Sequence, residues 1–138
     1  MTLLVLDTNV LSETVRGDAA DPGVLAWLLA LPVTPVTTVI TRAELLSGVA
    51  ILPPGARRQR LEQVTLAALA GLGRCLPLTL EAADRYAEVI ATRRGMGRPI
   101  GSLDALIAAI ALEARGTLAT RNTKDFEGIG LDVINPWL

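Results

Sequence analysis

The chain reads as an α/β protein, a three-layer αβα sandwich around a mostly parallel central sheet. Two observations carry that reading. Short apolar or β-branched runs alternate with longer segments of helical periodicity, the pattern of strands joined by crossover helices. The composition is 51% hydrophobic but only 3% aromatic, so the core must be built from Leu, Val, Ile and Ala. A length of 138 residues suits one domain spanning 1–138.

Leu3-Leu4-Val5-Leu6 is a continuous apolar run, as expected of a central parallel strand. Thr8 to Arg16 follows as a short helix, broken by Gly17-Asp18. Asp21-Pro22 supplies an N-cap and a first helical position for a helix to Leu31, which Pro32 ends. Val33 to Val39 is β-branched but contains Pro35, giving a short strand and a turn. Thr41-Arg42-Ala43-Glu44 has the form of a capping box and opens a helix to about Leu52. Arg57 to Leu72 carries an apolar stripe at 61, 64, 66, 68, 69 and 72. Arg74 to Leu78 is a further short strand. Thr79 caps a helix with Ala82, Ala83, Tyr86, Ala87 and Ile90 on one side, ending near Arg94-Gly95. After the Gly95–Gly101 loop, Ser102 caps an apolar helix from Leu103 to Ala114. Thr117 to Thr120 is a strand, Arg121 to Phe126 a polar loop or single turn, and Asp132 to Ile134 an edge strand.

Sites in parallel sheets form outside the carboxyl ends of the strands. Four acids fall at that edge: Asp7 after the first strand, Glu44 and Asp104 in first turns of helices, and Asp125 after the Thr117–Thr120 strand. Each has a purely structural alternative. Asp7 could be a helix cap, Glu44 the acid of the capping box, Asp104 a complement to a helix dipole and Asp125 a loop acid. Together they point to a shared partner, and a hard divalent cation suits oxygen donors. With no histidine in the chain, Ser–His and Cys–His nucleophile pairs and His-ligated zinc are excluded. Carboxylates are the chemistry available in number, and they suit metal-dependent phosphodiester hydrolysis.

Net charge is −1, but with four acids set aside as metal ligands the remaining surface is net basic. Twelve of the thirteen basic residues are arginines, whose forks suit phosphate oxygens. Arg42, Arg93, Arg94, Arg98 and Arg121 adjoin the acids or flank the loop before Asp104 and are the expected RNA contacts. Arg57, Arg58 and Arg60 read as a solvated face. Trp27 and Trp137 read as core or interface anchors, remote from the acids in sequence, and Cys75 as a small core residue.

No apolar run approaches membrane-spanning length. MTLLVLDTNV lacks a basic segment and is interrupted by Asp7, so it does not read as a signal peptide. A single cysteine agrees with the reducing cytoplasm. The high apolar content favours burial of further surface in an oligomer.

The segments LDTNVLSE, RAELLSG, LDALIAAIAL and LATRNTKDF, in this order along essentially the whole chain, resemble the PIN domain, and within it the bacterial VapC toxin group with its FitB-like members. The resemblance implies a Mg2+- or Mn2+-dependent endoribonuclease, usually homodimeric, paired with a VapB-type antitoxin. It places the acidic quartet at Asp7, Glu44, Asp104 and Asp125, with Asn9, Thr120 and Asn122 in support. The stretch before Asp104 reads Pro99-Ile100-Gly101-Ser102-Leu103, where many relatives carry a second acid or a Pro-Val type residue, and the ion count stays at one or two. Two other readings compete. A non-catalytic binding module of the same fold would have no use for four intact acids. An aspartyl-phosphate phosphatase needs a second Asp two residues after Asp7, where this chain has Asn9, and a lysine at a strand end, where it has only the loop residue Lys124.

Overall fold

The structure is a computed structural model that describes residues 3–138. Met1 and Thr2, which belong to the expected domain span and to the segment weighed as a signal peptide, lie outside the described residues. Strands are β1 (Leu4–Leu6), β2 (Thr37–Thr38), β3 (Cys75–Leu76), β4 (Thr117–Ala119) and β5 (Asp132–Ile134). Helices are α1 (Thr8–Thr14), α2 (Pro22–Leu29), α3 (Val39–Ala50), α4 (Ala56–Ala70), α5 (Leu80–Gly95) and α6 (Ser102–Glu113). Single 3-10 turns occupy Gly17–Ala19 and Thr123–Phe126.

All strand pairs are parallel. β1 pairs with β4 and β4 with β5, with Val5 opposite Leu118 and Leu118 opposite Val133. β2 pairs with β3. The two ladders are joined through Val36, whose N–H donates to Leu4 O at 2.9 Å and whose carbonyl accepts from Leu6 N at 2.8 Å. The order across the sheet is therefore β3-β2-β1-β4-β5. Chain direction of travel reverses between β1 and β4, the topological switch point where open α/β sheets bind ligands.

Alternation along the strands sorts the core into two halves. Val5 and Leu118 point to one side, into a cluster with Ala82 and Val89 of α5 and Ala105, Ala108 and Ile110 of α6. Leu4, Leu6 and Ala119 point to the other, against Val10 and Leu11 of α1, Val24 of α2 and Leu69 of α4. That is the three-layer sandwich expected from the sequence. Gly116 turns the chain into β4 where a Cβ would lie 2.9 Å from Val5 Cγ2 and 3.1 Å from Leu3 O, too close for any larger residue.

Several local expectations are corrected. α3 begins at Val39 with Thr38 as its cap, Thr38 Oγ1 accepting from Thr41 N at 3.1 Å, so Thr41 is inside the helix and opens no capping box. α6 is capped by Gly101 with no side-chain bond, and Ser102 is its first residue. β3 is shorter than the expected Arg74–Leu78, and Cys75 within it is exposed. In α4, Val64 and Leu66 of the expected stripe face outward while Thr65 is buried.

Candidate active site

Asp7 is the N-cap of α1, at the end of the central strand and 3% exposed. The backbone pairing of β1 with β4 continues one step further, Asp7 N donating to Ala119 O at 2.9 Å. This sets Asp7 beside Thr120 at the switch point. Its carboxylate is satisfied by neutral groups alone. Oδ1 accepts from Thr8 N at 2.8 Å, and Oδ2 accepts from the Thr120 hydroxyl at 2.7 Å. Thr120 Oγ1 in turn accepts from Asn9 Nδ2 and from Asn122 N, both at 3.1 Å. Asn9 Oδ1 accepts from Arg121 N at 3.1 Å, closing a network that locks the end of β4 onto the first turn of α1. Asn122 takes part through its backbone, not its side chain.

Glu44 reaches the same place from α3. Its Oε1 accepts from the Thr8 hydroxyl at 2.7 Å, and Thr8 Oγ1 lies 3.0 Å from Thr41 Oγ1. With the Thr8 proton committed to Glu44, Thr41 donates to Thr8. The capping-box role expected for Glu44 is thus replaced by a carboxylate held through a two-hydroxyl relay. Neither Thr8 nor Thr41 was legible as a site residue, although Thr8 lies inside the motif that flagged Asp7 and Asn9.

Asp7, Glu44 and Asp104 line one cavity of about 430 Å³, together with Thr8, Asn9, Glu13, Arg16, Arg121, Asn122 and Trp137. Asp125 lies on the exposed 3-10 turn next door, lining an adjoining pocket that shares Arg121 and Asn122. It is near enough that its charge acts on both Asp7 and Asp104. Burial raises the Asp7 carboxyl above its ordinary value against the opposing bonds from Thr120 and Thr8, and the charges of Glu44 and Asp125 add to the rise. Asp104 is pushed up to about 6, by burial first and then by the charges of Asp7, Asp125 and Glu44. Among the described residues, no basic side chain forms an ion pair with any of the four acids.

The donor set fits a hard divalent cation: oxygen only, mutually repelling and lacking an internal counterion. Among the described residues no three carboxylates converge into a ready-made cage. That spacing suits an ion that keeps several waters and takes one or two carboxylates directly, as Mg2+ does.

The arginines divide. Arg42, Arg94 and Arg121 are exposed. Arg93 is corrected as an RNA contact: it is 3% exposed and its Nη1 donates to Glu127 O at 2.8 Å and Lys124 O at 3.3 Å. Arg98 is exposed but committed to the same loop, through Glu127 Oε2 at 3.1 Å and Lys124 O at 3.3 Å. These two hold the segment that carries Asp125. The burial of Arg93 had a signal, since Ala82, Val89 and Arg93 fall on one face of α5. Trp137 is a core-packing residue, as expected, but it is not remote from the acids. It packs on the α1–α2 half of the core, yet it also lines the acidic cavity, with Arg121 Cζ 5.1 Å from its ring centroid. Trp27 is a core-packing residue, as expected.

Residues 4–130 match the PIN domain family. The chain is 45% identical over 98% of its length to the VapC ribonuclease Y4jK of Sinorhizobium fredii, covering 98% of that protein. It is 39% identical over 98% of its length to toxin FitB of Neisseria gonorrhoeae, covering 99% of it. Its fold superposes on the structure of FitAcB from Neisseria gonorrhoeae with a TM-score of 0.85 at 38% identity, covering 98% of this chain and 99% of that one. FitAB bound to a DNA fragment gives the same TM-score at 35% identity, over 99% and 96% of the two chains. The acid-lined switch point, the three-layer fold and full-length identity of this level agree: the chain belongs to the PIN-domain family, in its VapC and FitB toxin group.

Proposed function

We propose that this protein is a divalent-metal-dependent endoribonuclease that acts as the toxin of a toxin–antitoxin pair. One observation carries the reading: Asp7, Glu44 and Asp104 line a single cavity at the switch point of the sheet, and among the described residues no cation is paired with any of them. Asp7, Glu44, Asp104 and Asp125 are the residues that would hold Mg2+ or Mn2+. The cation, when bound, supplies Lewis-acid activation of water and neutralises charge developing on the phosphate. The chain's own groups do the rest. The Thr120 hydroxyl and the Thr8 N–H fix the Asp7 oxygens, and Thr41 and Thr8 fix the Glu44 oxygen, so the donors are oriented before a ligand arrives. Asn9 and Thr120 tie the two elements together as supporting groups. Arg42, Arg94 and Arg121 remain the proposed RNA contacts.

A VapB-type antitoxin is the proposed partner, supported by the relatives solved as FitAB and FitAcB. A basic side chain of that partner would pair with the unpartnered carboxylates and compete with the cation. Leu29, Ile51 and Leu80 are largely exposed and supply apolar surface for a homodimer or for the antitoxin. No helix among the described residues is long and apolar enough to cross a membrane.

The test is cleavage of an end-labelled single-stranded RNA by purified protein over a Mg2+ or Mn2+ titration. Cleavage should appear with metal, vanish with chelator and be absent from Asp7→Asn. Cleavage that survives chelation or the Asp7 substitution would overturn the reading.

A further inference from the structure

The acidic cavity has a fixed cation on its wall that no sequence motif announced. Arg16 lines the cavity together with Asp7, Glu44 and Asp104. Its side chain is 55% exposed, but its guanidinium is not free to wander. Nη1 donates to both Oε1 and Oε2 of Glu13, at 3.1 Å each. Glu13 is one of two buried carboxylates among the described residues, 4% exposed. Its Oε2 also accepts from Asp21 N at 2.8 Å, which ties the Gly17–Ala19 turn back onto α1. A single nitrogen of Arg16 serves Glu13, so Nη2 and Nε have no protein partner among the described residues.

Burying a carboxylate is costly, and an arginine at a helix end needs no such partner for stability. What the arrangement achieves is positional. Glu13 removes rotamer freedom from a long side chain that lines the cavity and occupies only one nitrogen of its planar fork. A fork with free donors beside a cavity that repels anions matches one ligand class, a phosphate oxygen. The repulsion by four acids must be offset before a polyanion can enter, and the guanidiniums that line this cavity are those of Arg16 and Arg121.

We propose that Arg16 binds a backbone phosphate of single-stranded RNA next to the scissile position, and that Glu13 is the positioning residue that aims it. The proposal rests on the reading of the cavity as an RNA-cleaving site. Arg16 makes no contact with the four acids, so its removal leaves the cation site intact.

The experiment compares wild type, Arg16→Ala, Arg16→Lys and Glu13→Gln, each first shown folded by circular dichroism. Cleavage kinetics are measured in saturating Mn2+, and binding of a fluorescein-labelled single-stranded oligoribonucleotide is measured in the Asp104→Asn background across a salt series. Arg16→Ala should raise KM about tenfold with kcat little changed, since it removes one charged hydrogen-bonded contact. The slope of log Kd against log salt should shrink by about 0.7, one phosphate contact on a single strand. Arg16→Lys should keep the slope and recover only part of the KM, because an ammonium lacks the fork. Glu13→Gln should keep the slope and raise KM by roughly threefold, the cost of an unaimed guanidinium. Normal metal-dependent cleavage by wild type with an unchanged KM and slope in Arg16→Ala overturns the proposal alone: Arg16 would then only neutralise Glu13. Absence of both cleavage by wild type and RNA binding in the Asp104→Asn background overturns the reading of the cavity and this proposal with it.

Discussion

Asp7 and Glu13 bracket the same short helix and are buried to the same degree, 3% and 4% exposed, yet the fold satisfies them in opposite ways. Glu13 receives a guanidinium and a backbone N–H. Asp7 receives a backbone N–H, a hydroxyl and a long bond from the Asn9 amide, with the charges of Glu44 and Asp125 nearby. One carboxylate is finished by the chain itself. The other is oriented but has no counterion among the described residues, and burial first, then the charges of Glu44 and Asp125, raise its carboxyl. Burial alone therefore does not single out a candidate metal ligand; burial with neutral partners and acidic neighbours is the pattern on which the proposed role of Asp7 rests.

The largest test of this contrast is Asp7→Asn. Loss of the cation-demanding oxygen should reduce RNA cleavage by roughly a thousandfold, while the neutral amide relieves repulsion with Glu44 and Asp125. The metal-free melting temperature should hold or rise, read by thermal denaturation in chelator. A stable, fully active Asp7→Asn protein would remove Asp7 from the site. Glu13→Gln should behave in the reverse sense. It weakens the bond that ties Asp21 N back to α1, so stability should fall by about 1–2 kcal/mol, the Arg16 contact adding little because its side chain is half in solvent. The stabilisation given by Mn2+ should remain. Denaturant titrations with and without metal separate the two outcomes.

Between these extremes lies Thr120, fully buried, which donates to Asp7 and accepts from Asn9 and Asn122. Thr120→Val keeps the shape and removes the hydroxyl. Supporting groups of this kind are worth 10- to 100-fold in metal affinity, so the Mn2+ dissociation constant should rise by about that factor. Calorimetric titration checks it. An unchanged constant would mean that the Thr8 N–H and the Asn9 amide suffice to orient Asp7.

What the sequence made legible follows the range of the interactions. The strand–Asp junction at Asp7, the acids of α3 and α6 and the loop acid Asp125 are local signals: an apolar run, a break, and a polar residue at a strand end. Those carried over because a parallel sheet forces its crossover helices to start at one edge. Register was less legible. Placing the α3 start at Thr41 rather than Val39 turned Glu44 into a capping residue, because several Thr residues in succession offer competing caps. Long-range placement of residues outside the strand ends and helix starts was not legible. Trp137 reaches the cavity only because the chain after β5 returns beside Arg121, and nothing near it in sequence encodes that. The burial of Arg93 is encoded in the periodicity of α5, since it shares a face with Ala82 and Val89, although its charge points the other way.

The smallest expected effect sharpens the contrast on the proton. Asp104 titrates at about 6 in the folded protein against an ordinary value of 3.8, burial being the main cause and the charges of Asp7, Asp125 and Glu44 the rest. Between those two values the folded chain holds a proton that the unfolded chain has released. Stability without metal should therefore fall as pH rises from about 4 to about 6, and level off above. The raised Asp7 adds to the same sign. Bound cation favours the ionised carboxylates, so stabilisation by Mn2+ should grow across the same window and be fully developed above it. Asp104→Asn cannot titrate and should flatten both trends. The amplitude is modest because Asp104 is only half-buried and solvent screens its charge. The readout is the difference in melting temperature between wild type and Asp104→Asn, taken in chelator at intervals through that window, so that titrating groups remote from the cavity cancel. A difference that stays constant with pH would mean that Asp104 is already ionised throughout. The acids of the cavity would then be as well compensated as Glu13, and the distinction between the two kinds of buried carboxylate would fail.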